Sequence, residues 1–168
     1  MGCDVYLVVS LYVRGDRVLL RAVRGFESLG GRVVFVDEDS RRVVANVRAT
    51  RVDDVERLIS YFASGYTVNV KASCSAESLS LVEGRVRGLR YVRVVANTYY
   101  ASVNGRIVEV NFRGGGRVDV KIGVRSSLVA PVPPSVFNMD LRAAREALGE
   151  LPVILDQLGL GGGVSDRG

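Results

Sequence analysis

Residues 97–122 read NTYYASVNGRIVEVNFRGGGRVDVKI, and two turns inside this stretch decide the fold class. Asn104-Gly105 is the dipeptide best suited to a two-residue turn with both central residues at positive φ, the turn whose twist matches a β-hairpin. It sets Val103 opposite Arg106, Ala101 opposite Val108, Tyr99 opposite Val110 and Asn97 opposite Phe112. Gly114-Gly115-Gly116 supplies a second turn, setting Phe112 opposite Val118, Val110 opposite Val120 and Val108 opposite Ile122. Both registers gather the apolar residues on one face, and a one-residue slip in either would scatter them. The other face carries polar residues, with Glu109 directly across from Lys121 as a favourable cross-strand pair. The spacing predicts a three-stranded meander over about 91–125.

Working outward toward the N-terminus, residues 4–13 and 17–24 alternate as strands do. A turn at Gly15-Asp16 pairs Val13 with Val18, Leu11 with Leu20 and Val9 with Ala22, and the Arg14-Gly15-Asp16 triplet reads as that turn. Residues 32–37 and 42–49 predict a second hairpin around Glu38–Arg41. Val52, Val55, Leu58, Ile59 and Phe62 recur at helical spacing, with Thr50 and Asp53 as a capping box and Gly65 as the stop. Residues 66–72 return as a strand. Ser75 is placed to cap a short helix reaching about Glu83, because Gly84 and Gly88 make a longer one costly.

Toward the C-terminus, Pro131, Pro133 and Pro134 predict a stiff extended connector. Asn138 or Asp140 caps a helix over 139–149, which Gly149 and Pro152 interrupt before a second apolar piece, 153–160. The expectation is one α+β domain over 1–160, built mainly of antiparallel hairpins and the meander, with two or three helices packed on one sheet face. Residues 161–168 are expected to form a disordered tail.

Composition narrows the chemistry. The 168 residues include no His, so a His-based triad, a His general base and a His-ligated zinc are excluded. Two Cys cannot make a Cys₄ site. No run approaches the length of apolar chain that spans a bilayer. The N-terminus lacks a basic leader region, so a cytoplasmic protein with reduced thiols is expected. Scarce Gln, His, Cys and Met beside 21 Arg point to a thermophile.

Charge is uneven. Residues 1–83 are net neutral, 84–125 carry nine basic against two acidic side chains, and 126–168 are slightly acidic. On the polar face of the meander, Tyr100 is placed to stack a base, and Arg113, Arg117 and Lys121 to track phosphates. Arg85, Arg87, Arg90 and Arg93 add a rim. The competing expectation is a solvated sheet face whose arginines discourage aggregation, or which pair with the acidic C-terminal segment.

Other chemistry is thin. Asp37-Glu38-Asp39, with Asp53 and Asp54, offers oxygen ligands, but Asp is also a favoured turn residue and Arg41 and Arg42 follow. Cys74 is the sole candidate nucleophile and lacks a His base. No phosphate-binding glycine pattern follows a strand. No catalytic residue, metal site or cofactor is assigned. Val153, Ile154, Leu155, Leu158 and Leu160 either close the core or, over 151–160, dock a protein partner or a second copy. The functional expectation is a non-enzymatic accessory or scaffold protein within a nucleic-acid-handling complex. The alternatives are direct RNA or single-stranded DNA binding through 84–125, and a small-molecule carrier with a pocket between sheet and helices.

Overall fold

The computed structural model describes residues 2–75, 81–82, 85–86, 90–95, 97–125 and 132–160. In chain order the elements are β1 (Cys3–Val13), α1 (Leu19–Ser28), β2 (Arg32–Asp37), β3 (Arg42–Arg48), α2 (Val52–Phe62), β4 (Ala63–Ser75), β5 (Leu81–Val82), β6 (Arg85–Val86), β7 (Arg90–Val95), β8 (Thr98–Val103), β9 (Arg106–Arg113), β10 (Arg117–Arg125) and α3 (Leu141–Gln157). Eight strands form one antiparallel sheet in the order β2-β3-β1-β4-β10-β9-β8-β7, and β5 and β6 form a separate ribbon. The architecture is α+β, as the sequence predicts.

The meander registers hold residue for residue. Tyr99 pairs with Val110, Ala101 with Val108 and Val103 with Arg106, and the Phe112 N–H donates to the Asn97 carbonyl. Across the triple-glycine turn, Phe112 pairs with Val118 and Glu109 with Lys121. Asn104 and Gly105 both adopt the positive φ that this hairpin turn requires, at 55° and 77°. The stretch 90–125 holds four strands rather than three, because the chain before Tyr99 folds back once more as β7.

Between Val13 and Arg32 the expected second strand is instead a 3-10 turn, Asp16–Val18, leading into α1. The alternation over 17–24 fits either element. The deciding residues are Leu19, Ala22 and Phe26, which share one buried helical stripe. β1 thereby loses its expected hairpin partner and lies between β3 and β4. Gly25 lets α1 approach α2: a Cβ there would sit 2.7 Å from Leu58 Cδ2. Arg14 does not enter a hairpin turn; its guanidinium donates to the carbonyls of Ser60 and Ala63 at the C-terminal end of α2.

The helices depart from expectation at their ends. A 3-10 turn, Ala49–Arg51, leads into α2 without a side-chain cap, so Thr50 and Asp53 form no capping box. The helix passes at Phe62 straight into β4, without using Gly65 as a stop. Leu81–Val82 is strand, not the end of a helix from Ser75; residues 76–80 lie outside the described residues, as does the tail 161–168. α3 runs unbroken through Gly149 and Pro152. An interior proline forfeits a backbone hydrogen bond at a cost of about 3 kcal/mol. Leu151, Ile154 and Leu155 are at most 2% exposed around it, and burying such side chains contributes about 1.5–3 kcal/mol each. Four of the five apolar side chains of 153–160 are thus in the core, and Val153 remains exposed.

One buried cluster joins both halves of the chain: Leu7, Val9 and Leu11 of β1, Val68 and Val70 of β4, Val108 to Ile122 of the meander, and residues of all three helices. α2 and α3 lie side by side, with Arg145 donating to Asp53 and Glu56 at 2.8 and 2.6 Å. β10 leaves β4 after pairing Ile122 with Val70. In the opening, Met139 exchanges two backbone hydrogen bonds with Val68, at 2.8 and 2.9 Å. Asp140 then caps α3, its carboxylate accepting from the Ala143 N–H at 2.8 Å. Asp140→Ala is expected to lower unfolding stability by about 1 kcal/mol, read from urea midpoints at unchanged slope.

The thiols are not reduced. Cys3 and Cys74 face each other on β1 and β4 and form a disulfide across 71 residues of chain. The pairing corrects the expected thiol state and removes Cys74 as a nucleophile.

Candidate functional site

The helices cover one sheet face, and the opposite face collects the charge. Alternation along each strand sends Tyr6, Lys71 and Ser73, Tyr100, Glu109 and Arg113, and Arg117, Asp119 and Lys121 to this side. Register then sets up two clusters.

The first centres on Asp119, whose side chain is only 9% exposed. Arg113 Nη1 donates to its Oδ2 at 2.7 Å, and Lys71 Nζ lies 3.6 Å from the same oxygen. Lys71 stands over the Tyr6 ring, 6.0 Å from its centroid. Burial raises the Tyr6 phenol above its ordinary range, and the neighbouring Asp119 charge adds to the shift. Arg117 Nη2 donates to the Ser73 carbonyl and hydroxyl oxygens, both at 3.1 Å, and lies 4.0 Å from Asp4. Tyr6, Ser73, Arg113, Gly114, Arg117 and Asp119 line an open notch of about 290 Å³.

The second centres on Glu109. It accepts from the Tyr100 hydroxyl at 3.0 Å and lies 3.6 Å from Lys121 Nζ. Phe137, carried by the 3-10 turn Pro134–Phe137, is 5% exposed. Its ring lies 6.5 Å from the Tyr100 ring and 5.9 Å beneath Lys121. The 3-10 turn Pro134–Phe137 thus brings an aromatic ring beside Tyr100 on this face.

Of the eight sequence candidates, Arg113 and Arg117 come together at the notch, and Tyr100 and Lys121 at Glu109. Arg93 lies on β7 in register with Tyr100, and Arg90 in register with Ser102. Arg85 lies on β6, and Arg87 is outside the described residues. Sequence reading missed Tyr6, Lys71, Ser73 and Phe137, which reach these clusters from β1, β4 and the connector. Within the two clusters four cations meet three carboxylates, so most of the local positive charge is answered on the spot.

The acidic C-terminal segment is engaged elsewhere. Glu150 accepts from the nearly buried Arg106 at 2.8 Å and pairs with Arg125 at 2.7 Å. Arg106 sits on the helix-covered face among Val103, Val108 and Val110, the one cation on the apolar side of the hairpin.

The remaining candidates serve local structure. Asp37 accepts from the Ser40 hydroxyl and the Asp39 N–H, which closes the β2–β3 turn. Among the described residues no group of three or more His, Cys, Asp or Glu is placed to hold a metal ion. Asp53, Glu56, Arg57, Ser60 and Tyr61 line a depression on the outside of α2. Among the described residues no helix is long and apolar enough to cross a membrane. No family model matches this chain, and no curated protein matches it in sequence.

Proposed function

We propose that this chain is a non-enzymatic accessory or scaffold protein that works through its surfaces, within a nucleic-acid-handling complex. The observation that carries the reading is the distribution of surface chemistry. Apolar exposure concentrates on one sheet edge, where Val34, Phe35 and Val36 are 49%, 46% and 42% exposed, while the cations of the outer face are largely held by carboxylates. A phosphate backbone would compete with Asp119 and Glu109 for those cations, and a base would compete with Phe137 for Tyr100. Both competitions weaken direct single-strand binding relative to protein contact. The proposed setting is the cytoplasm of a thermophile, where intracellular proteins keep disulfides such as Cys3–Cys74.

Titration of a labelled single-stranded RNA and DNA by fluorescence anisotropy tests the reading. The expected result is association no tighter than about 1 µM at physiological salt, within or below the range of about 1–100 µM that non-specific binding occupies. It should be unchanged by Arg113→Ala with Arg117→Ala. Binding tighter than about 1 µM, with a steep salt dependence that the double variant reduces, selects the nucleic-acid platform instead. Native mass spectrometry tests the carrier alternative, which requires a retained small-molecule mass.

A further inference from the structure

β2 has β3 on one side and no strand on the other among the described residues. Alternate residues of such an edge direct N–H and C=O groups outward, ready to pair with another strand. Here the edge is Arg32-Val33-Val34-Phe35-Val36-Asp37, an apolar run with a cation at one end and an acid at the other.

Its facing pattern is unusual. Val33 pairs with Ala45 and Val36 with Val43, so both lie on the helix side. Arg32 pairs with Asn46, Phe35 with Val44 and Asp37 with Arg42, so these three lie on the outer side. The register shifts between Val33 and Phe35, making Val34 the extra residue of a bulge. With Val34 and Phe35 together opposing Val44 as the two bulge positions, the strand runs outer, helix side, bulge pair, helix side, outer when read from either end. Two copies pairing antiparallel about a two-fold axis normal to the sheet need facing residues on the same side. In a regular strand Arg32 and Asp37, five positions apart, point to opposite sides and cannot meet in this way. The bulge brings them to the same side.

We propose that two copies of this chain join β2 to β2 about such an axis, extending both sheets into one. Val33 then faces Val36 of the second copy, Phe35 lies near the axis, and Arg32 faces Asp37 of the second copy at both ends of the seam. Arg32 has no ion-pair partner of its own among the described residues. The Asp37 carboxylate, which accepts from Ser40 and Asp39, retains lone pairs for a guanidinium. Apolar surface flanks the seam on both sides. Leu20 of α1, 64% exposed, lies with Val36 on the helix side. Tyr12 and Phe35 lie on the other, with the Arg42 guanidinium over both rings. A self-complementary patch of this kind is what a closed two-fold dimer requires.

The self-pairing rests on the reading of the chain as an interaction protein, but its test is separate from the oligonucleotide titration. Sedimentation equilibrium from about 1 to 200 µM, the range of a moderate dimer, is expected to show the mass rising from 18.2 kDa toward twice that value. Arg32→Asp alone sets acid against acid, and Asp37→Arg alone sets cation against cation, so each should weaken dimerisation at least about tenfold. Mixed in equal amounts, the two variants restore opposite charges at both ends, and the heterodimer should form. Arg32 is exposed and Asp37 half-buried, and unchanged far-UV circular dichroism with a cooperative melt checks that each variant folds, Asp37→Arg losing the hydrogen bonds of its turn. A wild-type mass fixed at 18.2 kDa across the range overturns the proposal. So do single variants that dimerise as tightly as the wild type, or a mixture that stays monomeric.

Discussion

Glu150→Ala is expected to lower the free energy of unfolding by about 3–5 kcal/mol, the cost of stranding a buried charge. The Arg106 side chain is 3% exposed and donates to Glu150 at 2.8 Å and to the Gly123 carbonyl at 2.9 Å. Its Nε has no hydrogen-bond partner among the described residues, so little else compensates the guanidinium once the carboxylate is gone. Replacing both partners, Arg106→Met with Glu150→Met, removes the charges together and should cost far less than Glu150→Ala alone. Urea unfolding of the three proteins makes the comparison; equal losses in the single and double variants would contradict it. The pair also sets a pH dependence. The hydrogen bond from Arg106, reinforced by the charges of Arg106 and Arg125, holds the Glu150 carboxyl below its ordinary range. A carboxyl whose folded pKa lies below its unfolded value adds stability that is fully present above the ordinary range. That stability is lost as pH falls through the folded value. Glu150→Gln should therefore lose less stability than the wild type between neutral pH and about pH 3.

Cys3→Ala with Cys74→Ala is expected to cost about 4 kcal/mol, from the entropy that a bridge across 71 residues removes from the unfolded chain. Both cysteines are at most 2% exposed, so a reductant reaches them chiefly through opening of β1 from β4. Reduction under native conditions should be slow, and addition of denaturant should accelerate it. Urea midpoints of the oxidised, reduced and double-Ala proteins check the effect, with the last two agreeing. A double-Ala protein as stable as the oxidised one would remove the bridge from any role in stability.

What could be read from the sequence was what neighbouring residues determine. Asn104-Gly105 and Gly114–Gly116 sit inside their own hairpins, so two registers followed from turn chemistry and alternation, down to the Glu109–Lys121 pair. Residues 17–24 alone do not separate strand from helix, because eight residues satisfy a period of 2 and a period of 3.6 almost equally well. Phe26, which breaks the tie, lies beyond them. The local cost of Pro152 predicts a break, but the burial of Leu151, Ile154 and Leu155, set by tertiary packing, outweighs it. The disulfide needed the adjacency of β1 and β4, a long-range pairing that no local pattern encodes. The candidate site divides along the same line. The outward positions of Tyr100, Arg113, Arg117 and Lys121 were legible from the meander. Lys71, Ser73 and Tyr6 come from strands whose neighbourhood was not, and Phe137 comes from a connector expected only to span a gap. The isolated Arg106 on an apolar face was visible in the hairpin pattern, and a buried ion pair is what such a placement calls for.

The Met139–Val68 bridge has a consequence for biosynthesis. Lys121 and Tyr100 flank Phe137 on one face of the sheet, while Leu141 begins the helix that packs on the other, so the chain changes faces at Met139. During translation, residues 141–160 leave the ribosome after the whole sheet has been made. Until they dock, Val108, Val110, Val118, Val120 and Ile122 lack their cover, and a nascent chain with such an exposed face is prone to aggregate. α3, made after the strands it packs on, is thus the element that closes this face of the sheet.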